Sequence, residues 1–218
     1  MKSLILILIS FTFFGGQKSE YFHANDENPI DPLKHMEICR TKRCSGNDNS
    51  GRYGCARNCA QCDDQSNCKK WHGGIDLLAS LNTDFYCLFS GVKKAEGFNK
   101  SWGFYLIVES ENVKDNNGLH YDKITFIYCH LNPSKTFPAV MKQDDKLGLT
   151  GNTGNALNEA PHLHLEAYDG IFNNSNRSNA IDPQLFFRTA LGQNQNNTNC
   201  QGTTVAELDC CGEFKKPA

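Results

Sequence analysis

The chain has 218 residues, of which 39% are hydrophobic and 21% are charged. This composition is typical of a folded globular protein and excludes a chain that is disordered throughout. The 22 basic and 24 acidic residues leave a net charge of −2, so no overall basic field predicts binding to nucleic acid or to a membrane surface. The length predicts one domain with appended segments.

The first 19 residues have the pattern of a secretory signal peptide. Lys2 precedes an apolar run from Leu4 to Phe14, and small residues follow it. The run is shorter than the roughly 20 apolar residues that span a bilayer, and no second stretch approaches that length. We therefore expect residues 1–19 to be removed and the mature chain to be secreted, with no membrane span.

Residues 20–68 form a cysteine-rich segment with little hydrophobic content. It contains six of the 11 cysteines, namely Cys39, Cys44, Cys55, Cys59, Cys62 and Cys68. An exported segment that cannot build its own core is expected to be stapled by disulfides, whose pairing the sequence does not determine. A structural zinc site that uses Cys59 and Cys62 is the alternative. We expect the segment to guide binding, to brace the entry to the next domain, or to mask its site.

From Trp71 onward, apolar runs alternate with turn residues. Runs rich in aromatic, aliphatic and β-branched residues predict strands at 85–92, 102–109, 123–131 and 162–168. Lys114–Gly118 is typical of a hairpin tip, and a short helical turn is expected near residues 183–191. These patterns predict a mainly β domain of antiparallel strands over residues 69–190. Residues 191–218 are expected to form an Asn-rich linker and a cysteine-containing tail.

Two cysteines lie inside the predicted strands, Cys87 and Cys129. We expect them either to pair with each other or to remain buried thiols. Cys129 directly precedes His130, which raises the possibility of a Cys–His nucleophile. Neighbouring side chains on a strand point to opposite faces, however, so the sequence argues against this dyad.

The stretch from His162 to Glu166 carries the most informative pattern. Residues two apart on a strand share a face, so His162, His164 and Glu166 point one way while Leu163 and Leu165 point the other. Two imidazoles roughly 6.5–7 Å apart along a strand can serve as a metal ligand and a proton-transfer group. The alternative is a pair of surface histidines on a half-buried strand.

Two earlier segments supply further candidates for the same site. His72 and Asp76 lie four residues apart, a spacing that places both on one face of an extended chain. His130 lies near the end of the run Tyr128-Cys-His-Leu131. Because metal and catalytic sites are assembled from distant segments in this way, the sequence predicts one site built from three segments.

Together these motifs resemble the lysostaphin-type zinc peptidases, the LytM-like peptidoglycan endopeptidases. The family's His-x-x-x-Asp, Tyr-x-His-Leu and His-x-His motifs occur in order at 72–76, 128–131 and 162–164, and a Gly-rich stretch at 146–154 precedes the last. Ile181-Asp-Pro183 lies where the family's domain typically ends. The resemblance covers residues 70 to 188.

The resemblance implies an antiparallel β fold of the duplicated hybrid motif, lysostaphin-like type, with one Zn²⁺ per chain. His72, Asp76 and His164 would be the metal ligands. His130 and His162 would be the catalytic histidines, one of which helps to deprotonate water or to protonate the leaving amine; which ring performs which step stays open. The implied reaction is hydrolysis of a peptide bond in a peptide or peptidoglycan substrate.

The alternative is a secreted zinc-binding ligand without catalysis, similar to leukocyte cell-derived chemotaxin. That protein keeps the metal triad but lacks the middle-motif histidine, whereas His130 fills the position here, which favours an enzyme. Glu166 shares the face of the histidine pair and is expected to support it from behind. Glycosylation patterns, which would indicate a eukaryotic secretory route if used, occur at Asn99, Asn173, Asn176 and Asn196.

Overall fold

The computed structural model describes residues 27–38, 40–44, 47–57, 70–133, 136–157, 159–173 and 177–191. For residues 40–44, 47–50, 55–57 and 70, only the backbone is described. The predicted signal peptide, the cysteine side chains of residues 20–68 and the predicted tail beyond residue 191 lie outside this part of the chain. The disulfide framework and the alternative zinc site within it therefore stay predictions.

The strands are β1 Arg40–Cys44, β2 Asn47–Ser50, β3 Gly54–Arg57, β4 Lys70–His72, β5 Gly74–Leu78, β6 Asp84–Tyr86, β7 Gly91–Asn99, β8 Gly103–Lys114, β9 His120–Leu131, β10 Val140–Met141, β11 Lys146–Leu149, β12 His162–Asp169 and β13 Ala180–Ile181. Two 3₁₀ turns cover Gly154–Ala156 and Pro183–Phe186. Every strand pairing in the described part of the chain is antiparallel, which confirms the predicted mainly β, antiparallel class.

The largest sheet positions the predicted site. Its strands follow the order β10, β7, β8, β9, β12 and β13, and β5 also pairs with β12. β12 is therefore bonded along one side to β9 and along the other to β5 and β13. The predicted hairpin tip at Lys114–Gly118 joins β8 to β9. No helix in the described ranges is long and apolar enough to span a membrane.

β12 has the alternation that its sequence predicts. Leu163, Leu165 and Ala167 lie in the large hydrophobic core. His164 and Glu166 lie on the opposite face, where Tyr168 packs in a smaller apolar cluster. Burial of the leucine face fixes the register of the strand, because a slip of one residue would bring the histidines into the core.

One predicted strand was wrong in its extent. The run 85–92 is split between β6, which pairs with β11, and β7, which begins at Gly91 in the large sheet. Between them the chain bends at buried Cys87, Leu88 and Phe89. The backbone of Cys87 exchanges hydrogen bonds with Asp144 and Asp145 outside any strand. An apolar run signals burial, and here the buried residues connect two sheets.

Residues 27–38 pack along the domain as a strap. Leu33 and Ile38 are buried in the large core, and Ile38 forms an isolated bridge with Leu77 of β5. The Asp31 carboxylate accepts hydrogen bonds from the backbone and hydroxyl of Thr189 at 2.8 and 2.7 Å. The strap therefore contributes apolar surface to the core on which β5 and β12 rest.

Candidate metal centre

Strands β5 and β12 bring two predicted ligands opposite each other. His164 of β12 is the cross-strand partner of Asp76 of β5, and directly opposed residues lie on the same face of a sheet. His72 reaches the same point from the end of β4, because only Gly73 separates β4 from β5. All three side chains are buried, so three strands deliver them to one place.

Each of these side chains presents one ligand atom to a common point. His164 Nδ1 lies 2.7 Å from Asp76 Oδ1 and 3.1 Å from His72 Nε2. His72 Nε2 lies 3.3 Å from Asp76 Oδ1. Ligand atoms bound to one tetrahedral zinc ion at 2.0–2.1 Å lie about 3.3 Å apart. His72, Asp76 and His164 thus form a cluster with the spacing of a metal site.

The outer nitrogen of each clustered histidine donates to an acceptor. His72 Nδ1 donates to the Arg52 carbonyl oxygen at 2.8 Å, and His164 Nε2 donates to Glu166 Oε1 at 3.1 Å. A neutral ring that donates from one nitrogen carries its lone pair on the other. Both lone pairs therefore face the Asp76 carboxylate, and three acceptors this close together need a cation between them.

A proton or a metal ion can serve as this cation. Burial lowers the pKa of His164, but the hydrogen bonds to Asp76 and Glu166 outweigh it and raise the pKa to about 9. Burial acts to raise the pKa of Glu166, but the hydrogen bond from His164 lowers it overall. These contacts favour a proton on His164, so a metal ion that binds at Nδ1 competes with that proton.

His162 lies next to the cluster on the same face of β12. Its Nε2 atom is 3.7 Å from Asp76 Oδ1. Its Nδ1 atom donates to the Ala160 carbonyl oxygen at 2.8 Å. This backbone hydrogen bond fixes the ring with its Nε2 edge toward the cluster, so the structure places His162 beside the ligand atoms without placing it among them.

His130 reaches the cluster through a break in strand alternation. On β9, Tyr128 faces the large core and Cys129 faces the other side, so regular alternation would return residue 130 to the core. His130 instead has a φ of +59°, the left-handed conformation of a β-bulge. Leu131 then faces the core, and the His130 ring lies beside the cluster formed by His72, Asp76 and His164.

The Gly-rich loop that follows β11 holds the His130 ring. The Thr153 carbonyl oxygen accepts a hydrogen bond from His130 Nδ1 at 2.8 Å, and the Trp102 carbonyl accepts one from the His130 backbone at 2.7 Å. A Cβ atom added to Gly154 would lie 2.2 Å from the Gly103 nitrogen. Because only glycine permits this approach, the loop can reach the ring.

The His130 ring is neutral at physiological pH. Burial lowers its pKa, the nearby charge of His164 and His162 lowers it further, and the pKa reaches about 3. The ring centroid lies 4.9 Å from that of His162 and 5.7 Å from that of His164. Since Nδ1 donates to Thr153, the basic nitrogen of the ring is Nε2.

The five predicted site residues line an open cleft of about 320 Å³, namely His72, Asp76, His130, His162 and His164. Both tryptophans of the chain, Trp71 and Trp102, line it as well, and the Arg177 guanidinium lies 5.1 Å from the Trp102 ring centroid. Buried Glu166 accepts hydrogen bonds from Trp102 Nε1, Tyr168 Oη and Arg177 Nη1 at 3.2, 2.5 and 3.4 Å. Within the described ranges, no residue before Trp71 lines the cleft.

Cys129 does not form a nucleophilic pair with His130, although the alternation argument against it was wrong. Because of the bulge, both side chains lie on the cleft side of the sheet, and Cys129 is the cross-strand partner of His164. Cys129 is fully buried, and burial raises the pKa of its thiol well above the ordinary value. Cys87 and Cys129 are both free, buried thiols, the second of the two predicted alternatives.

Sequence reasoning missed the groups that hold the rings. The Arg52, Thr153 and Ala160 carbonyls are backbone atoms, which every residue type carries, so no sequence pattern marks them. Trp102 and Arg177 follow no motif and join the site through their contacts with Glu166. Glu166 was found because strand periodicity placed it on the histidine face.

No model of a known protein family matches the sequence, and no curated protein matches it. Solved structures do resemble the fold. The catalytic domain of the antimicrobial peptidase lysostaphin from Staphylococcus simulans is 23% identical over 61% of this chain and 86% of its own, with a TM-score of 0.43. The catalytic domain of a mutant of prophage-encoded EnpA from Enterococcus faecalis is 16% identical over 75% and 98%, also with a TM-score of 0.43.

A third similar structure is a zinc-containing peptidase from Vibrio cholerae. It is 18% identical over 59% of this chain and 42% of its own, with a TM-score of 0.38. The neighbours are peptidases, and lysostaphin itself stands among them. These similarities concern the fold, and the chemistry of this chain is inferred from its own residues.

Proposed function

We propose that this chain is an exported zinc metalloendopeptidase that hydrolyses peptide bonds in peptidoglycan cross-links. The observation that supports it most is the convergence of His72, Asp76 and His164 on one point beside two further histidines. Closed structural zinc sites use four protein ligands, whereas three ligands leave a position for water or substrate. The signal-peptide pattern at residues 1–19 supports export.

The donor set suits zinc. Imidazole nitrogens and a carboxylate oxygen are ligands of catalytic zinc, and the single negative charge of Asp76 leaves the loaded site positive. The hydrogen bonds from His72 to Arg52 and from His164 to Glu166 orient the rings, as outer-sphere partners do in zinc enzymes. When bound, zinc supplies Lewis-acid chemistry, polarising a carbonyl group and lowering the pKa of water.

His130 and His162 supply the proton transfers. Each ring donates Nδ1–H to a backbone carbonyl and presents Nε2 for reaction. One ring accepts the proton of the attacking water at Nε2 and so becomes cationic. Its Nε2–H then donates that proton to the leaving amine, so the proton removed from water ends on the new amino group. The other ring, when it carries a proton on Nε2, donates a hydrogen bond to the carbonyl oxygen as negative charge develops there. Burial lowers the pKa of His130, so the ring is neutral and its Nε2 atom carries a lone pair that can accept a proton.

The geometry of His130 favours an enzyme over a chemotaxin-like zinc-binding ligand. A non-glycine residue in the left-handed conformation carries backbone strain, and such strain concentrates at functional sites. A protein that only binds zinc requires His72, Asp76 and His164, and it gains nothing from a strained histidine near them. The open cleft with its tryptophan walls also leaves room for an extended peptide.

The test is zinc-dependent release of new amino groups from purified peptidoglycan. We expect the zinc-loaded protein to release them, chelation to stop the release, and added zinc to restore it. His130→Ala at equal zinc content should reduce the rate by about 10²–10⁴-fold, the usual contribution of a general acid or base.

The control is His120→Ala, since His120 is exposed and outside the cleft. This variant should match the unaltered protein in zinc content and rate. If the zinc-loaded protein released nothing from peptidoglycan or from Gly-rich peptides, the enzyme proposal would fail, and a zinc-binding ligand would replace it.

A further inference from the structure

Residues 51–54, which lead from β2 into β3, lie against the back of the metal cluster. We propose that this segment, the 51–54 loop, is a positioning element of the metal centre. It selects the tautomer of His72 and fixes the backbone of Asp76, so it raises the affinity of the site for zinc. The inference rests on the zinc site proposed above and adds to it a part of the chain outside the recognised motifs.

Two successive carbonyl groups of the loop hold the two ligand residues. The Arg52 carbonyl oxygen accepts a hydrogen bond from His72 Nδ1 at 2.8 Å. The Gly51 carbonyl oxygen accepts one from the Asp76 backbone N–H at 2.7 Å. Gly54 is in addition the cross-strand partner of His72. The loop thus contacts one ligand through its ring and its strand, and the other through its backbone.

The bond to the His72 ring decides whether the ring can bind metal. Neutral imidazole has two tautomers, and only the one protonated at Nδ1 carries its lone pair on Nε2. His72 Nε2 is the atom that faces Asp76 and His164. A carbonyl oxygen can only accept, so the Arg52 carbonyl stabilises the metal-binding tautomer before zinc arrives.

Two contacts keep the loop in place. Tyr53 Oη donates to the Ala180 carbonyl oxygen of β13 at 2.6 Å, and the Tyr53 ring meets the Trp71 ring edge-on at a centroid distance of 5.4 Å. Gly54 has a φ of +95°, a conformation that suits glycine. A Cβ atom there would lie 3.7 Å from the Trp71 ring. The loop is therefore held by its hydrogen bond to β13 and by its packing against the Trp71 ring.

This placement gives a role to part of the cysteine-rich segment 20–68. Guiding of substrate, bracing and masking were all expected for it. In the described ranges, no residue before Trp71 lines the cleft, whereas Gly51 and Arg52 bond to ligand residues. The loop acts from behind the metal site, so its removal should weaken zinc binding and should not unmask activity.

The decisive comparison is Gly54→Ala against Gly118→Ala. Both glycines have positive φ, +95° and +81°, so both substitutions strain the backbone in a similar way. Gly118 lies at the β8–β9 turn with nothing within 4 Å of an added Cβ. We expect Gly54→Ala to weaken zinc binding about 10–100-fold, as loss of an outer-sphere partner does, and Gly118→Ala to leave it unchanged.

Zinc affinity is measured by competition with a chromophoric chelator, and the Co²⁺ absorption spectrum reports the ligand geometry. In the zinc-free protein, the ¹⁵N shifts of His72 should show the Nδ1–H tautomer, and Gly54→Ala should lose that preference. Tyr53→Phe, which removes the hydroxyl that bonds to Ala180 and keeps the ring, should weaken zinc binding in the same direction but less. Circular dichroism checks that each variant is folded.

The outcomes separate the two proposals. If the unaltered protein bound no zinc, both the function and the loop's role would be rejected. If it bound zinc, and folded Gly54→Ala bound zinc as tightly as Gly118→Ala, the loop's role alone would be rejected. Should Gly54→Ala fail to fold, Tyr53→Phe decides, because zinc affinity equal to that of the unaltered protein would overturn the inference.

Discussion

Strands β12 and β9 both place histidines at the candidate metal site, but by different backbone routes. β12 alternates regularly, so His162 and His164 follow from a leucine face buried in the core. β9 breaks its alternation at His130, whose φ of +59° turns the ring from the core side to the cleft side. Sheet register thus places the proposed ligand His164, whereas a strained bulge places His130, one of the two proposed catalytic histidines.

Substitutions on the regular strand β12 and at the β9 bulge should therefore have different effects. A residue on the regular strand is held by pairing on both sides, so its substitution removes atoms and leaves the backbone in place. His130 combines a chemical group with a costly conformation, so its substitution alters both function and strain. Substitutions at four positions test this difference, namely Asp76, His162, His130 and Cys129.

The largest effect is expected at Asp76, which pairs with His164 across the regular part of the sheet. Asp76→Ala removes the only proposed anionic ligand and leaves two imidazoles, so zinc affinity should fall by more than about 100-fold. Chelator competition measures the change. Glu109→Ala is the matched control, because Glu109 is a similarly buried carboxylate that pairs with Lys123 outside the cleft at 3.0 Å. Retention of zinc by Asp76→Ala would reject its role as a ligand.

The next effect concerns His162, the other histidine of the regular strand. His162→Ala should keep one zinc per chain and lower kcat by about 10²–10⁴-fold, because the ring lies beside the ligand atoms and outside the triad. Metal analysis and steady-state kinetics on a defined cross-link peptide measure the two properties. Loss of zinc in proportion to activity would instead make His162 a ligand.

The β12 half of the site could be predicted from sequence because period-2 alternation is local. The alternation in the five residues from His162 to Glu166 predicts which side chains share a face, and the leucines predict which face is buried. The antiparallel class follows in the same way from short apolar runs separated by turn residues. Alternation also explains why Glu166 was identified as a supporting residue.

The other parts of the site and fold depend on contacts between residues that are distant in sequence. Regular alternation would place His130 on the core side, and only the bulge brings it to the cleft. The Arg52 carbonyl acts on His72 across the fold, and backbone carbonyls have no sequence signal. The run 85–92 failed as a single strand because hydrophobicity records burial and does not record a bend between two sheets.

A smaller effect tests the bulge itself. His130→Gly should be more stable to unfolding than His130→Ala by about 1 kcal/mol, because glycine adopts positive φ without the steric cost of a Cβ atom. Urea denaturation of both variants measures the difference, and the loss of the ring is common to both. At Thr125, on the regular part of β9, the order should reverse, since glycine weakens a strand interior. If the glycine and alanine variants ranked in the same order of stability at His130 and at Thr125, the result would contradict backbone strain at His130.

The smallest effect on turnover is expected at Cys129, the residue next to the bulge. Although it pairs across the sheet with His164, its thiol is fully buried and burial raises its pKa, so it offers no thiolate to substrate. Cys129→Ala should therefore lower stability modestly, by about 1–2 kcal/mol for a small cavity. Turnover per folded molecule should stay unchanged.

Cys87→Ala is the matched control for this substitution. Cys87 is another buried free thiol, its pKa is raised by burial to about 12, and it lies in the large core away from the cleft. Both variants should show the same turnover once the folded fraction is accounted for by urea titration. Turnover that is lost in Cys129→Ala and kept in Cys87→Ala would mean that the thiol takes part in the chemistry. The Cys129–His130 pair, which the bulge brings to one side of the sheet, would then have to be reconsidered as a nucleophile and its base.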